Sequence, residues 1–227
     1  MTEEKAFRKT GTTPASSKAE APAASAPSAA SAAPATPFEM LEPREQLKRL
    51  LVEAMGDKPF CELAGVTFDH RGASIVGHIL LDTLEEQGYS VDDFDAVGAL
   101  TAAAVPLVSA MIQAAASRGE DLDGFVMDFV YPSIKGPSIK GKRVILLDSW
   151  LSEKSYVQTS SLVTLRNGNE LSLDFSVVEH EGATVEAVAS LIGGVDMTKP
   201  TIRVINPVDG AAHELPFVEV YRESELR

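Results

Sequence analysis

The run from 144 to 155, Val-Ile-Leu-Leu-Asp-Ser-Trp-Leu-Ser-Glu-Lys-Ser, carries the residue types best placed to do chemistry. Four apolar residues closed by Asp148 read as a buried parallel strand that delivers a carboxylate to the C-terminal edge of a sheet, where open α/β folds bind ligands. The polar residues that follow, Ser149, Ser152, Lys154 and Ser155, predict a turn into a helix beginning at Ser155, with free backbone N–H groups where a phosphate would sit. The frame is one of nucleotide chemistry. Its residues also have plainer uses: the serines as N-caps, Asp148 as a loop or cap acid. Trp150, the single tryptophan, fills a pocket, anchors an interface or simply packs.

Other reactive types are sparse. Cys61 is alone, so it forms no internal disulfide, and it has no adjacent His to activate it. The four His are scattered without metal-ligand spacing, so no metal site is expected. Lys135, Lys140, Lys142 and Arg143 surround two glycines, as an anion site or as a solvated turn.

The elements that must position these residues follow from periodicity. Helical spacing runs over 43–55, ending at Gly56, and over 73–87, with Gly88 as a cap. An apolar strand at 96–100 leads through a narrow turn of small residues, Gly98 with Ala102, Ala103 and Ala104, into a helix over 103–117. A strand at 124–131, a loop rich in Pro, Gly and Lys, and the strand ending at Asp148 come next. After them the pattern predicts a helix over 155–166, a strand over 171–179 and a helix over 183–191. Residues 201–206 suit a fifth core strand and 215–221 an edge strand. Strands alternating with helices argue for a parallel sheet covered on both faces.

Composition bounds the rest. Residues 14–37 hold 11 Ala, 5 Pro and 5 Ser with no aromatic or large aliphatic side chain, so residues 1–37 are expected to be a disordered arm preceding a domain over 38–227. The arm's four basic residues exceed its three acids by one, which leaves −14 on the body out of the total of −13. That charge repels nucleic-acid backbone and anionic membrane. No apolar run approaches a membrane span, and a cytoplasmic protein is expected.

The order of segments, with the sequences at the loops, resembles orotate phosphoribosyltransferase, a type I phosphoribosyltransferase, over about 60–191. Residues 95–107 resemble the family's pyrophosphate loop, 123–127 its second strand, 134–137 and 141–143 the approach to the third, and 144–155 its ribose-phosphate motif. Residues 177–180, followed by Gly182, stand where the family has a strand ending in Asp-Arg. The resemblance implies an α/β, type I phosphoribosyltransferase-like parallel sheet flanked by helices on both faces. It also implies a remnant ribose-phosphate site at Asp148, Ser149, Ser152, Lys154 and Ser155, and a remnant pyrophosphate loop at Leu100, Thr101 and Ala102. Mg²⁺ enters only where phosphoribosyl pyrophosphate binds.

Departures from the family cluster at the chemistry. Ser149 replaces the second of two adjacent acids, and Ser152, Glu153 and Lys154 stand where the family has Thr-Thr-Gly. A carboxylate about 5 Å from a phosphate costs roughly 3 kcal/mol at an effective dielectric of about 20. Asp128 and Phe129 replace an Arg-Lys pair, and the path through Val130, Tyr131, Pro132 and Ser133 is too short for the family's mobile Lys-x-His-Gly loop. His180 stands for the base-contacting Arg, and no Ser-Gly-Lys pattern occurs near Ala64 and Gly65. Charge stabilisation in the transition state is commonly the largest catalytic term. A member that has lost catalysis is therefore expected, acting through a protein partner or a phosphorylated ligand, as a homodimer or a heteromer. The alternative is an active phosphoribosyltransferase using phosphoribosyl pyrophosphate and a base such as orotate.

Overall fold

Proline and glycine bracket the first helix, as their backbone preferences require. The computed structural model describes residues 36–58, 63–128, 130–152, 163–174, 176–195 and 201–227. Helix α1 (Pro43–Met55) has Pro43 in its first turn, where no N–H is needed, and Gly56 at its C-cap with φ 48°. Its buried face is Leu47, Leu50, Leu51 and Met55. Helix α2 (Ala64–Thr67) is one turn. Helix α3 (His70–Glu86) starts at Asp69, whose carboxylate accepts the Arg71 N–H at 2.9 Å. Helix α4 (Val105–Arg118) follows a 3-10 turn at Ala102–Ala104. It packs so closely on α3 that a Cβ on Gly77 would stand 2.1 Å from the Ala110 carbonyl oxygen.

The strands are β1 (Ala96–Ala99), β2 (Asp123–Asp128), β3 (Ser133–Lys135), β4 (Arg143–Leu151), β5 (Val163–Arg166), β6 (Glu170–Leu173), β7 (Thr184–Gly193), β8 (Thr201–Ile205) and β9 (Ala212–Arg222). Among the described residues they form one sheet, in the order β3-β2-β1-β4-β7-β9-β8-β6-β5. Strands β2, β1, β4, β7 and β9 run parallel and make the core. Strand β3 is antiparallel to β2, and β8 to β9. Helices α1, α3 and α4 cover one face through residues such as Val97, Ile145, Leu147, Ala189 and Val218. The other face buries Leu146, Val188 and Phe217 against Val178 of α5 (Ser176–His180) and against Leu165, Leu171 and Val204 of the sheet's own far end. The type I phosphoribosyltransferase-like α/β class is what the chain adopts. Helix α1 is tied to β9, with the Tyr221 hydroxyl donating to Arg44 O at 2.6 Å and the Arg44 guanidinium donating to Val220 O at 2.9 Å.

Several elements differ from expectation in the second half. Strand β4 does not stop at Asp148 but stays paired with β7 as far as Leu151 opposite Gly193. The helix expected over 155–166 lies outside the described residues up to 162, and 163–166 are strand β5. The strand expected over 171–179 ends at Leu173, and Ser176–His180 is helical. The helix expected over 183–191 is strand β7, buried from Ala187 to Gly193 between two neighbours. A run buried on both faces has no period to read, which is why its apolar residues fit a helix equally well. The last two strands exchange roles: β9 is the fifth core strand and β8 lies outside it. Residues 133–135, expected as loop, pair as β3. The arm expected over 1–37 lies outside the described residues except for Thr36 and Pro37, and Cys61 also lies outside them. Among the described residues, no helix is long and apolar enough to cross a membrane.

Candidate functional site at the C-terminal edge of the sheet

From the middle of the sheet the chain leaves in two directions, β1 toward β2 and β4 toward β7. The crevice at such a switch point, outside the carboxyl ends of the strands, is where open α/β sheets bind ligands. The two halves of the expected site meet there. Thr101, just beyond β1, donates its hydroxyl to Asp148 Oδ1 of β4 at 2.8 Å, and the Ser149 N–H donates to the same oxygen at 2.7 Å. Pairing of β1 with β4 ends at Ala99 opposite Leu147, so Asp148 is the first β4 residue past that seam. Asp148 is only 5 % exposed, and burial pushes its carboxyl up to about 6 against the two hydrogen bonds that pull it down.

The other expected residues divide. Leu100 is buried and serves the backbone, its N–H donating to Leu147 O at 2.9 Å. Ala102 is exposed and opens the 3-10 turn before α4. Ser149 lies buried inside β4 and not in a turn, because the strand runs on. Ser152 is buried at the end of β4, next to Gly194. Lys154 and Ser155 lie outside the described residues. Trp150 is 1 % exposed within the helix-side core, with the Arg227 guanidinium 6.0 Å from its ring centroid, so packing is its role and not an interface.

The basic cluster is not part of this site. Lys142 pairs with Asp123, and Arg143 with Asp95 at 3.2 Å, where β2, β1 and β4 begin. Both cations therefore stand at the N-terminal edge, across the sheet from Asp148. Lys140 is exposed, and Lys135 lies 3.8 Å from the Asp128 carboxylate.

At the C-terminal end of β2 the chain turns sharply into β3. Asp128 pairs with Ser133, and its Oδ1 accepts the N–H groups of Val130 at 3.0 Å and Tyr131 at 3.1 Å. Val130 and Tyr131 are each 75 % exposed at the tip. The segment 177–180 lies in α5, so His180 does not end a core strand. The strand that does end on this edge is β7, which closes on Gly193 and is followed by Gly194.

Residues not anticipated from sequence complete the edge. Asp148, Ser190 and Glu219 are in register across β4, β7 and β9. With neighbouring strands about 4.8 Å apart, this row sets two acids roughly 10 Å from each other. The Glu219 side chain is 6 % exposed and accepts from Arg222 Nε at 3.2 Å through Oε1. Burial pushes its carboxyl up to about 7, with Arg222 pulling the other way. Beside it a cavity of about 340 Å³ opens between the ends of β7 and β9. The signals in the sequence were an acid inside the apolar run at 217–221 and two glycines closing the run before them. Among the described residues no group of three or more His, Cys, Asp or Glu is placed to hold a metal. One buried acid beside Ser149 is not a cradle for Mg²⁺.

A scan against protein-family models gives no match. The chain is 30% identical over 173 residues to the orotate phosphoribosyltransferase of Streptomyces coelicolor, covering 74% of this chain and 81% of that protein. It is 32% identical over 139 residues to that of Streptomyces avermitilis, covering 59% and 66%. Among solved structures, Mycobacterium tuberculosis orotate phosphoribosyltransferase in complex with phosphoribosyl diphosphate superposes with a TM-score of 0.55 at 18% identity, covering 83% of this chain and 95% of that one. A phosphoribosyltransferase from Corynebacterium diphtheriae gives 0.51 at 19% identity, covering 82% and 99%. A sheet whose switch point joins a threonine to an acid, together with 30% identity across four-fifths of a relative, places this chain in the orotate phosphoribosyltransferase family.

Proposed function

We propose that this chain is a member of the family that binds without transferring. The observation that carries the reading is the β2–β3 connection. Phosphoribosyl transfer requires cations near the leaving pyrophosphate as positive charge develops on the sugar, and such preorganised charge is worth several kcal/mol per donor. On the C-terminal edge beside the switch point, this chain presents Asp128, Val130, Tyr131 and Pro132 in a closed turn with no length left for a loop. Lys135, the nearest cation on this hairpin, faces Asp128. A phosphorylated sugar or nucleotide is the ligand class that suits the Asp148–Thr101 crevice, and dimer formation with itself or with an active relative is the partner reading. The cytoplasm is the expected compartment.

A second reading, an active phosphoribosyltransferase with an altered base, is favoured by the survival of the Thr101–Asp148 pair at the switch point. Calorimetric titration separates binding from an empty scaffold. With Mg²⁺ present, phosphoribosyl pyrophosphate and ribose 5-phosphate are expected to bind in the micromolar range and to weaken in Asp148→Ala. No heat at millimolar ligand would overturn the binding half of the proposal.

A further inference from the structure

The opposite edge of the sheet carries a recess of its own. A cavity of about 550 Å³ opens there, between the approach to β1, the end of α4 and the loops that enter β2 and β4. Its lining includes the buried side chains of Phe94 and Leu122 and the half-buried ones of Val91 and Ile112. Apolar side chains left partly in water on a concave surface gain from a guest that covers them.

The charge around this apolar lining is one-sided. Asp95, Glu120, Asp121 and Asp123 line the cavity against a single cation, Lys142. Lys142 is taken by Asp123, and the neighbouring Arg143 by Asp95 at 3.2 Å. Arg118, the basic residue in the last turn of α4, is held by α3, where Asp82 at 2.6 Å and Glu85 at 3.2 Å accept from its guanidinium. Glu120 and Asp121 have no ion pair among the described residues, and the carbonyl end of α4 adds negative potential at the same edge. Among the described residues the acids are not grouped to hold a metal ion. Spread around an apolar lining, they suit cations that arrive on separate side chains.

We propose that this recess docks a segment of a partner protein that presents one large apolar side chain between lysines or arginines. Charge complementarity selects this occupant. The apolar side chain covers Val91, Phe94, Ile112 and Leu122, and the flanking cations meet Glu120 and Asp121. An acidic segment gains the first contact and is repelled at the second, and a second copy of this chain brings a net charge of −13. The recess stands at the starts of β1 and β4, whereas Asp148 stands beyond the β1–β4 seam at their other end. A partner can therefore dock here while the C-terminal edge stays open, and the proposal does not depend on what that edge binds.

The test is fluorescence anisotropy of the full chain with labelled five-residue peptides in which Phe, Leu, Met or Trp stands between two pairs of arginines. At least one is expected to bind about 10-fold or more tightly than the same peptide with glycine at its centre, and than its counterpart with glutamates for arginines. Asp121→Lys, a change on an exposed side chain, should weaken the tightest peptide about 10-fold. Glu225→Lys makes the same change of charge beside Glu219 on the opposite edge and should leave binding within about 2-fold. No binding by any of the four peptides, equal binding by the glycine-centred one, or equal losses in the two variants overturns the proposal. Dissociation of a dimer in Asp121→Lys, read by sedimentation, would give the recess to a second copy and overturn it too. Failure of phosphoribosyl pyrophosphate to bind would sink the reading of the opposite edge and leave this one intact.

Discussion

Two buried acids, Asp148 and Glu219, stand at the C-terminal edge of the sheet, where the binding site is proposed. Asp148 keeps its proton in the folded state up to about 6, against 3.8 for a free aspartate. The folded state therefore binds the proton more tightly, and the Asp148 contribution to stability falls as pH rises from about 4 to about 6 and is level above that, while Glu219, pushed up to about 7, adds its own fall up to that pH. The Asp148 loss is on the order of 3 kcal/mol. Asp148→Asn, which keeps an acceptor for Thr101, should remove that part of the slope and be more stable than wild type at pH 7. Urea unfolding at pH 4 and pH 7 reads it, and parallel curves for the two proteins would contradict it. Gly193→Ala should destabilise by about 1–3 kcal/mol through the clash with Glu219, and Glu219→Ala should recover much of that loss in a double-mutant cycle. Additive losses would mean that the alanine is accommodated elsewhere. Asp148 and Thr101 were legible because each follows an apolar strand into a polar turn. Glu219 was not, because its partners lie on β7 and the order of the last strands is a long-range fact.

At the scale of elements, the first half of the chain was the readable half. Helices α1 and α3 carry caps and one-sided periodicity, and the small residues of α4 announce close packing. That packing has a checkable consequence. Gly77→Ala would press a methyl onto the Ala110 carbonyl and should cost about 1–3 kcal/mol or more, seen as a lower denaturant midpoint with unchanged slope. An unaltered midpoint would mean that α3 and α4 can separate without loss. The β2–β3 hairpin is held by the Asp128 carboxylate on two N–H groups, and Asp128→Ala should cost about 1 kcal/mol there. Strand β7 defeated the reading for the opposite reason. Buried on both faces between β4 and β9, it carries no alternation to distinguish a strand from a buried helix.

For the whole molecule, family membership was legible from five weak landmarks read in order, although the fifth, 177–180, lies in α5 and the core strand assigned to it is β7. The net charge of −13 bears on partners. No retardation of duplex DNA is expected at 50 mM salt, because a body of this sign releases no counterions from the backbone, and a mobility-shift assay showing a complex would contradict it. The claim that organises the molecule is that its edge binds without transferring. The direct measurement is pyrophosphate release from phosphoribosyl pyrophosphate with Mg²⁺, supplied with orotate, uracil, adenine, guanine, hypoxanthine and cytosine in turn. Release at the level of the protein-free blank with every base is the result predicted. Release above blank with any of them, abolished in Asp148→Asn, would show an active transferase and contradict it.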